Sequence, residues 1–588
     1  MQKILFGLLL VSAAFAAKSI YVPTFITDDL NNSSSQWSYS RSVETDNWII
    51  FWESGFGSDP SSATGSYYVN MDTLEAVVEK SFTVNVDSLK MVIKDSSLTD
   101  KYKQMFFLVY TTDWTSYGSG QDDSVGSVFM NPDAVSYNAI VAHEIGHGFQ
   151  YMTGADVSGG GYRWGFESNG DGSNGFWEQC AQWQAWRVYP DQEFSNAYFT
   201  DYIAGAYKHM LHEDQRYANY FLPEYWSYKR GIEFIGKLWR ESVSPEDPVD
   251  TYMRMTSVTQ SEFNDEMYDQ AARLTTWDLP AIKSYGADYI DSRSQVSMTL
   301  TSDSFWRVDS SEAIENYGYN CIQLTAPSTE TDVSVIIQGE AGVSGYRSLN
   351  IDQGGWRFGF VALLNDNSRV YSEMDSMNYS EGSNPEASLS FTVPANCSKL
   401  WLVVSGAPQE HWHHVWDDDN TNDEQWPYQV KFANTNLKGN SNLSLTTYTL
   451  TTSVVGSGSV TPAAGSGTYI SGAVKTITAT PDSGAEFTGW SGDASGTDNP
   501  LSLSIDQDMS VVANFTSTTQ IKVKAKDAFV ADARIDVYDL KGRRVSSIAG
   551  KNLSLTSIDN LGFHQTGIYQ FVLLQSGRVM GVKMISNP

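Results

Sequence analysis

The pattern of apolar and polar positions predicts helices and buried strands up to about residue 290. At 71–81, Leu74, Val77 and Val78 recur at helical spacing, which places them on one face of an amphipathic helix. Short continuous apolar runs are typical of strands that are covered on both faces of a sheet. On these grounds we expect further helices at 224–242 and 260–274, and strands at 47–52, 105–110 and 124–130.

From about residue 291 the pattern changes to short alternating segments separated by Gly, Ser and Asn. Residues 333–337 and 399–404 are examples, and such segments predict the strands of a β-sandwich at 291–440. Two further β-rich units are predicted at 447–516 and 519–588. The chain is therefore expected to be multidomain, with an α+β domain at 18–290 followed by all-β sandwich domains.

The first seventeen residues have the pattern of a signal peptide. Lys3 supplies a charged start, residues 4–11 form a short apolar run, and Ala14-Phe15-Ala16 matches a small-x-small cleavage site. The apolar run is too short to span a bilayer, and no later stretch is long and apolar enough. We therefore expect an exported protein with no transmembrane segment after residues 1–17 are removed.

The charge and the cysteine count narrow the range of partners and of covalent structure. The formal net charge of −31 argues against nucleic acid and anionic membrane surfaces as partners. Three cysteines are too few for a disulfide framework. Cys321 and Cys397 are a candidate pair in an oxidising compartment, and Cys180 is expected to be a buried free thiol.

The stretch 139–150 combines helical apolar periodicity with the pattern H-E-x-x-H, formed by His143, Glu144 and His147. On a helix, positions i and i+4 lie on the same face, so two imidazoles at this spacing can bind one metal ion. A carboxylate on the same turn can take a proton from a metal-activated water. The alternative is a core helix whose two histidines are satisfied by hydrogen bonds.

A zinc site needs a third protein ligand, and Glu178 is the main candidate. It lies in a predicted helix at 174–186, where Ala181 and Ala185 share its face and would allow close packing against the first helix. Glu167, His209 and His212 are the rival candidates. Glu167 lies in a glycine-rich stretch without a helix to direct its side chain, and metal geometry favours ligands on rigid elements.

This pattern of His143, Glu144 and His147 followed by Glu178 and Ala181 resembles that of the gluzincin metallopeptidases. The resemblance implies a zincin-like α+β domain at 18–290, Zn2+ held by His143, His147 and Glu178, and Glu144 as the general base. It also implies that a peptide lies along a strand at the sheet edge, which we assign to 124–130. Gluzincins often use a Tyr or His to stabilise the oxyanion, and the candidates left open are His209, His212, Tyr217, Tyr220 and Tyr225.

The segment 411–419 concentrates His, Trp and Asp within the predicted sandwich. Such a composition can bind zinc or calcium, or present aromatic rings to a sugar. The aspartates do not have the spacing of an EF-hand loop. We favour a structural loop over a metal site here.

The two C-terminal units also resemble known modules. The pieces G-S-G-S-V-T-P at 456–462 and F-x-G-W at 487–490 make 447–516 similar to the internalin B-repeat, which implies a spacer or an adhesive stalk. Residues 519–588 resemble the C-terminal sorting domains of type IX-like secretion, with a Leu540-Lys541-Gly542-Arg543 turn, a strand from Gly567 and a last strand near Lys583. The resemblance implies secretion or surface attachment in a Gram-negative-type bacterium.

Two functions follow as hypotheses. The first is a secreted zinc-dependent endopeptidase that hydrolyses a protein or peptide substrate. The second is an extracellular adhesion or polysaccharide-binding protein with a catalytically idle core, which contacts a cell surface or a polysaccharide through its β modules. Metal analysis together with hydrolysis of an unstructured protein separates the two.

Overall fold

A computed structural model describes residues 17–158, 160–165, 173–380, 384–517, 533–550, 567–575 and 578–587. The signal-peptide prediction for residues 1–17 therefore falls almost entirely outside the described residues. The chain divides into two compact units, the first reaching Thr447 and including Thr468–Val474, and the second comprising Tyr448–Gly467 and Lys475–Pro588. Among the described residues, no helix combines the length and the apolar character that a membrane span requires.

The first part of unit one is an α+β structure. Its strands are β1 (Ser42–Glu44), β2 (Trp48–Trp52), β3 (Gln104–Leu108), β4 (Ser116–Gln121) and β5 (Val125–Met130). Its α-helices are α1 (Met71–Thr83), α2 (Leu98–Lys101), α3 (Pro132–Val135), α4 (Asn138–Ala155), α5 (Ser173–Val188), α6 (Ala197–Gly205), α7 (Phe221–Arg230), α8 (Phe234–Arg240), α9 (Pro248–Thr256), α10 (Gln260–Leu274) and α11 (Lys283–Gly286).

The five strands form one sheet in the order β1-β2-β3-β5-β4. The pairs β2/β3 and β3/β5 are parallel, while β1 and β4 run antiparallel to their neighbours. Alternate residues of β2 face opposite sides: Ile50 packs with the helices, whereas Ile49 packs with Leu30 and Trp37 of the N-terminal segment. Because both faces are covered, the central strands consist of continuous apolar runs.

One predicted helix is two helices in the structure. The stretch 224–242 is divided between α7 and α8, and Gly231 follows α7 with a φ of 100°. An L-residue rarely adopts this backbone conformation, so a glycine there ends α7 and lets the chain change direction. The helices predicted at 71–81 and 260–274 are present as α1 and α10.

A β-sandwich follows within the same unit. Its strands are β6 (Met298–Leu300), β7 (Trp306–Val308), β8 (Tyr319–Leu324), β9 (Thr331–Gly339), β10 (Gly355–Leu364), β11 (Arg369–Tyr371), β12 (Asp375–Asn378), β13 (Glu386–Val393), β14 (Cys397–Gly406) and β15 (Tyr428–Ala433). One sheet has the order β11-β10-β14-β8, with β12 also paired to β10, and the other has the order β13-β9-β15-β7-β6. The apolar inner faces form one core.

The outer face of the sheet β11-β10-β14-β8 packs against the helices of the α+β part. Val361, Trp401 and Val403 pack in the same cluster as the helices, while their strand neighbours point into the sandwich. Gly359 lies so close to the Tyr268 hydroxyl of α10 that a Cβ there would be 2.1 Å from it. The α+β part and the sandwich therefore share packing within one compact unit. The separate boundary at residue 290 stays a prediction.

Three cysteines lie within the described residues, and none is in a disulfide. Cys321 lies 3.2 Å from the Thr275 hydroxyl, and the Cys397 thiol donates to the carbonyl of Lys399. The suggested pairing of Cys321 with Cys397 is therefore not present. Cys180 is buried and free, as expected.

From residue 447 onward, every regular element among the described residues is a strand. These strands are β16 (Thr447–Val455), β17 (Gly458–Thr461), β18 (Gly465–Ile470), β19 (Ala473–Pro481), β20 (Ala485–Gly492), β21 (Leu501–Ile505), β22 (Met509–Ser517), β23 (Ala533–Asp539), β24 (Arg544–Gly550), β25 (Gly567–Gln575) and β26 (Arg578–Asn587). They form sheets in the orders β18-β16-β22-β20, β17-β19-β21 and β24-β23-β25-β26. In the turn before β24, Asp539 accepts the backbone N–H groups of Lys541 and Arg543.

Candidate metal centre

Three potential ligand atoms meet between α4 and α5. The Nε2 atoms of His143 and His147 are 3.0 Å apart, and each is 3.1 Å from Oε2 of Glu178. Tetrahedral zinc sites with bonds near 2.0–2.1 Å place their ligand atoms roughly 3.3 Å apart. The three side chains are almost fully buried. We call these three residues the cleft centre, and their spacing and donor types fit a zinc ion.

The other ring nitrogen of each histidine faces a glutamine oxygen. His143 Nδ1 lies 3.1 Å from Gln182 Oε1, and His147 Nδ1 lies 3.0 Å from Gln150 Oε1. An amide oxygen accepts and cannot donate, so each Nδ1 carries the proton. The amide of Gln150 is itself oriented, because its Nε2 donates to the carbonyl of Trp177 and to Oε1 of Gln184.

This arrangement determines what the cleft centre can hold. With the proton on Nδ1, a neutral imidazole presents a lone pair at Nε2. Two such lone pairs and a carboxylate oxygen, all within 3.1 Å of one another, repel each other unless a cation lies among them. That cation is a proton on an imidazole or a metal ion. Outer hydrogen bonds of this kind fix the ring orientation of metal-binding histidines.

The electrostatic interactions in the cleft centre also favour a cation beside the two rings. Burial opposes the protonation of His147, but the Glu178 carboxylate outweighs it, and the pKa of His147 is raised. Burial alone would raise the pKa of Glu178, yet the two imidazoles hold it far below its usual range. Glu178 is therefore ionised across the ordinary pH range and favours positive charge at the two rings.

Small residues allow the helices to approach. A Cβ on Gly146 of α4 would lie 3.2 Å from Cα of Ala181 on α5, so the backbones are close at this crossing. This is the packing for which Ala181 was noted in the sequence. On the opposite side of α4, a Cβ on Gly118 of β4 would be 1.9 Å from the carbonyl oxygen of Glu144. Glycine at 118 thus lets the edge strand lie directly against the helix.

Glu144 lies beside the cleft centre and has a partner on that strand. The hydroxyl of Ser116, on β4, donates to Oε1 of Glu144 at 2.6 Å. Both side chains line a cleft of about 1330 Å³ that also contains the cleft centre. The bond holds the carboxylate in place by one oxygen.

The strand at the sheet edge differs from the predicted one. The strand predicted at 124–130 is β5 (Val125–Met130), which lies between β3 and β4, so its backbone is paired on both sides. The edge strand next to the cleft is β4, which pairs with β5 alone, and its residues Ser116–Ser119 line the cleft. Its Gly- and Ser-rich sequence lacks an apolar run and therefore gave no strand signal.

Aromatic rings surround the cleft. Trp177 stacks on His147 with ring centroids 4.6 Å apart, and Tyr217 is 6.0 Å from the His143 ring. Trp114, Tyr117 and Tyr137 also line the cleft, and each exposes more than half of its surface. The cleft is therefore open, and its rim exposes several aromatic faces.

Of the five candidates for stabilising an oxyanion, the structure leaves one. Tyr220 donates to the carbonyl of Glu193, and Tyr225 donates to Asp269, both away from the cleft. His209 and His212 are buried next to His414. Tyr217 lines the cleft together with Tyr198, which the sequence analysis did not single out.

The same geometry separates the rival third ligands. Glu178 meets both histidines of α4, whereas His209 and His212 lie with His414. Glu167 lies outside the described residues. Sequence reasoning missed Ser116, Gln150 and Gln182. For the glutamines a signal existed, because Gln150 is three residues after His147 and Gln182 four after Glu178, on the same helix faces.

The comparisons with known proteins place the chain in a family. The model of a family of unknown function, DUF6055, matches residues 12–439. The chain belongs to this family. A second model, the divergent InlB B-repeat domain, matches residues 448–519, which confirms the internalin B-repeat-like module. No curated protein matches the chain.

Among solved structures, the similarities are low. The xylan-binding domain from CBM 22 shares 9% identity, over 25% of this chain and 83% of that chain, with a TM-score of 0.15. The Clostridium thermocellum xylanase 10B CBM22-1-GH10 modules with xylohexaose share 9%, over 27% of this chain and only 29% of that chain, with a TM-score of 0.15. The Bacillus anthracis TIE protein shares 9%, over 56% and 64%, with a TM-score of 0.14. TM-scores this low do not indicate a shared overall fold.

Proposed function

We propose that the protein is a secreted zinc-dependent endopeptidase with a zincin-like catalytic domain. The observation that carries the proposal is the cleft centre, where His143, His147 and Glu178 converge with both Nδ1 protons directed away. Zn2+ held by these three residues would supply Lewis acidity, which lowers the pKa of water towards neutrality and polarises a peptide carbonyl.

Glu144 is the proposed general base. One of its carboxylate oxygens lies within 4.8 Å of a ring nitrogen of His143 and of His147, farther than the 3.1 Å contacts of Glu178, and it faces the same cleft. Ser116 occupies Oε1, so Oε2 is the oxygen that takes the proton from the attacking water and passes it to the leaving amine. Tyr217, whose ring is near His143, is the proposed donor to the developing oxyanion.

The substrate would bind as an extended chain along β4. A strand with one unpaired edge offers backbone N–H and C=O groups to a peptide, which then adds to the sheet. β4 has such an edge and lies against α4, which carries His143 and Glu144. The aromatic rim would contact the substrate side chains.

The test is hydrolysis of an unstructured protein by the full chain and by Glu144→Gln. We expect the variant to keep one zinc ion at the cleft centre and to lose activity by about 10²–10⁴-fold, because the amide cannot accept the proton. Retention of full activity by a folded, zinc-loaded Glu144→Gln protein would disprove the mechanism.

A second candidate is a polysaccharide-binding or adhesion protein with an idle core. The observation that favours it is the exposed rim of Trp114, Tyr117 and Tyr137, since exposed aromatic faces stack on sugars. A zinc-loaded parent protein that hydrolyses no peptide but is retained on a polysaccharide matrix, with retention lost in Trp114→Ala, would favour this candidate.

We further propose that residues 519–588 direct secretion or surface attachment. The proposal rests on the sequence of the Leu540-Lys541-Gly542-Arg543 turn and on the four-stranded sheet that its described residues form. Removal of 519–588 should leave the protein inside the producing cell, as measured by fractionation.

A further inference from the structure

Four metal-binding side chains come together where α9 meets the loop after β14. Asp247 and Asp250 come from the N-terminus of α9, and His411 and His413 come from the loop. His411 Nε2 is 3.0 Å from Asp247 Oδ2, and His413 Nε2 is 2.7 Å from Asp250 Oδ2. One ligand atom from each of the four lies within 4.8 Å of the other three. We call these four residues the loop cluster.

The two buried members are held by outer hydrogen bonds. Oδ1 of Asp247 accepts the backbone N–H groups of Val249 and Asp250, so Oδ2 alone faces the cluster. His411 Nδ1 is 3.2 Å from the hydroxyl oxygen of Tyr317, and a hydroxyl can donate to this nitrogen or accept from it. When the proton is on Nδ1, a lone pair at Nε2 of His411 faces Asp247.

The other two members of the loop cluster are partly exposed to solvent. The side chains of His413 and Asp250 are 35% and 39% exposed, whereas those of His411 and Asp247 are 6% and 0% exposed. A cation can therefore reach the cluster. When both imidazoles present a lone pair, the two carboxylates are the only charged groups of the cluster, and a divalent cation balances two carboxylates.

A neighbouring group of histidines does not have this chemistry. The inner cluster consists of His209, His212, Glu213, His414 and Asp423, all buried. His212 Nε2 faces Asp423 Oδ2 at 3.4 Å, and neither atom has a hydrogen-bond partner. However, His212 Nδ1 accepts the backbone N–H of Asp214 at 2.9 Å. A neutral His212 therefore carries its proton on Nε2 and has no lone pair there for a metal.

We propose that Asp247, Asp250, His411 and His413 form a second divalent-cation site, for which zinc is the fitting metal. Two imidazoles and two carboxylates are ligands that zinc commonly takes. The bound ion would join α9 to the sandwich loop. It would also stabilise the cleft wall, because Trp164, which lines the cleft, donates its indole N–H to the carbonyl of Glu246 next to Asp247.

The test is the zinc content of the full chain after chelation and reloading with zinc chloride, measured by elemental analysis. We expect two ions per chain in the parent protein and one in His411→Asn/His413→Asn. Glu178→Ala should also hold one, and the three substitutions together should leave none. Asp417→Asn/Asp419→Asn, in the same loop but outside the cluster, is the matched control and should keep two.

The outcomes are distinct for the two sites. The proposal is wrong if His411→Asn/His413→Asn, folded by circular dichroism, holds as many ions as the parent. It is also wrong if the parent holds a single ion that Glu178→Ala removes. Asp250→Asn, which changes a half-exposed side chain, serves if the double variant does not fold, and its zinc content should also fall by one. Loss of the ion in Asp423→Asn instead would assign it to the inner cluster.

Discussion

The cleft centre and the inner cluster both combine buried histidines with carboxylates, but two histidines of the inner cluster are hydrogen-bonded in the opposite sense. In the cleft centre, Nδ1 of His143 and of His147 faces a glutamine oxygen, which leaves Nε2 as a lone pair. In the inner cluster, Nδ1 of His209 and of His212 accepts a backbone N–H, which leaves the proton on Nε2. Proximity of His to carboxylate is similar in both places. The direction of one hydrogen bond decides whether a metal can bind.

The buried carboxylates of the two regions, Glu178 and Glu213, also differ in their contacts. Oε2 of Glu178 faces the Nε2 atoms of two imidazoles at once, and the side chain lies at the base of an open cleft. Oε2 of Glu213 is hydrogen-bonded to one ring, with His414 Nε2 at 3.3 Å, and lies 3.6 Å from Nδ1 of His212. The first arrangement suits a multivalent cation, and the second is satisfied by a single proton on His414.

The largest expected effect comes from removing one carboxylate from each region. Glu178→Ala should abolish zinc at the cleft centre and all hydrolysis, because two imidazoles alone bind zinc weakly. Asp423→Asn should leave both zinc content and activity unchanged. Elemental analysis and the hydrolysis assay on both variants test this. Zinc loss in Asp423→Asn would show that the tautomer argument is wrong.

A second prediction uses the acid sensitivity of the inner cluster. Burial alone would raise the pKa of Glu213, but the hydrogen bond from His414 lowers it to about 2. Because the pKa of Glu213 is depressed in the folded protein, its carboxylate stabilises the fold at pH values above the unfolded-state pKa near 4.5, and this stabilisation is lost as the pH falls towards 2. The free energy of unfolding of the parent should therefore exceed that of Glu213→Gln by at most about 3 kcal/mol at pH 6. The difference between the two proteins should vanish near pH 2.

Denaturant unfolding of both proteins across this pH range measures the difference. Chelator should not change it, since the inner cluster is predicted to hold no metal. A pH-independent difference between the parent and Glu213→Gln would count against the assigned role of His414.

The smallest effect concerns the outer hydrogen bond of the cleft centre. Gln182→Leu removes the acceptor of His143 Nδ1 and should weaken zinc binding about 10–100-fold. Gln179→Leu is the matched control, because Gln179 is buried on the same helix but bonds to the carbonyl of Met210. Competition with a chromogenic chelator gives both affinities. Equal zinc affinities in Gln182→Leu and Gln179→Leu would show that Gln182 does not support zinc binding.

Much of the fold follows from local periodicity. The helices α1 and α10 are signalled by the helical spacing of apolar residues, and the strands β2, β3, β5, β9 and β14 by short apolar segments. The edge strand of the first sheet and the break between two helices are not signalled in this way. The strand β4 has no apolar run because it is a Gly- and Ser-rich edge strand, and the break between α7 and α8 depends on the conformation of Gly231. Both depend on packing that no short window of sequence contains.

For the sites, the sequence by itself determined the ligand types and their placement on helices. His143 and His147 share a face because of helical geometry, and Glu178 is directed by its own helix. Only the tertiary structure decided the rest. It brought Ser116 to Glu144 and separated His209 and His212 from the cleft. It also placed His411 and His413 beside Asp247 and Asp250, more than 150 positions earlier in the chain. The physical reason is that such contacts arise from the packing of distant elements, and ligand chemistry depends on hydrogen-bond directions that exist only after packing.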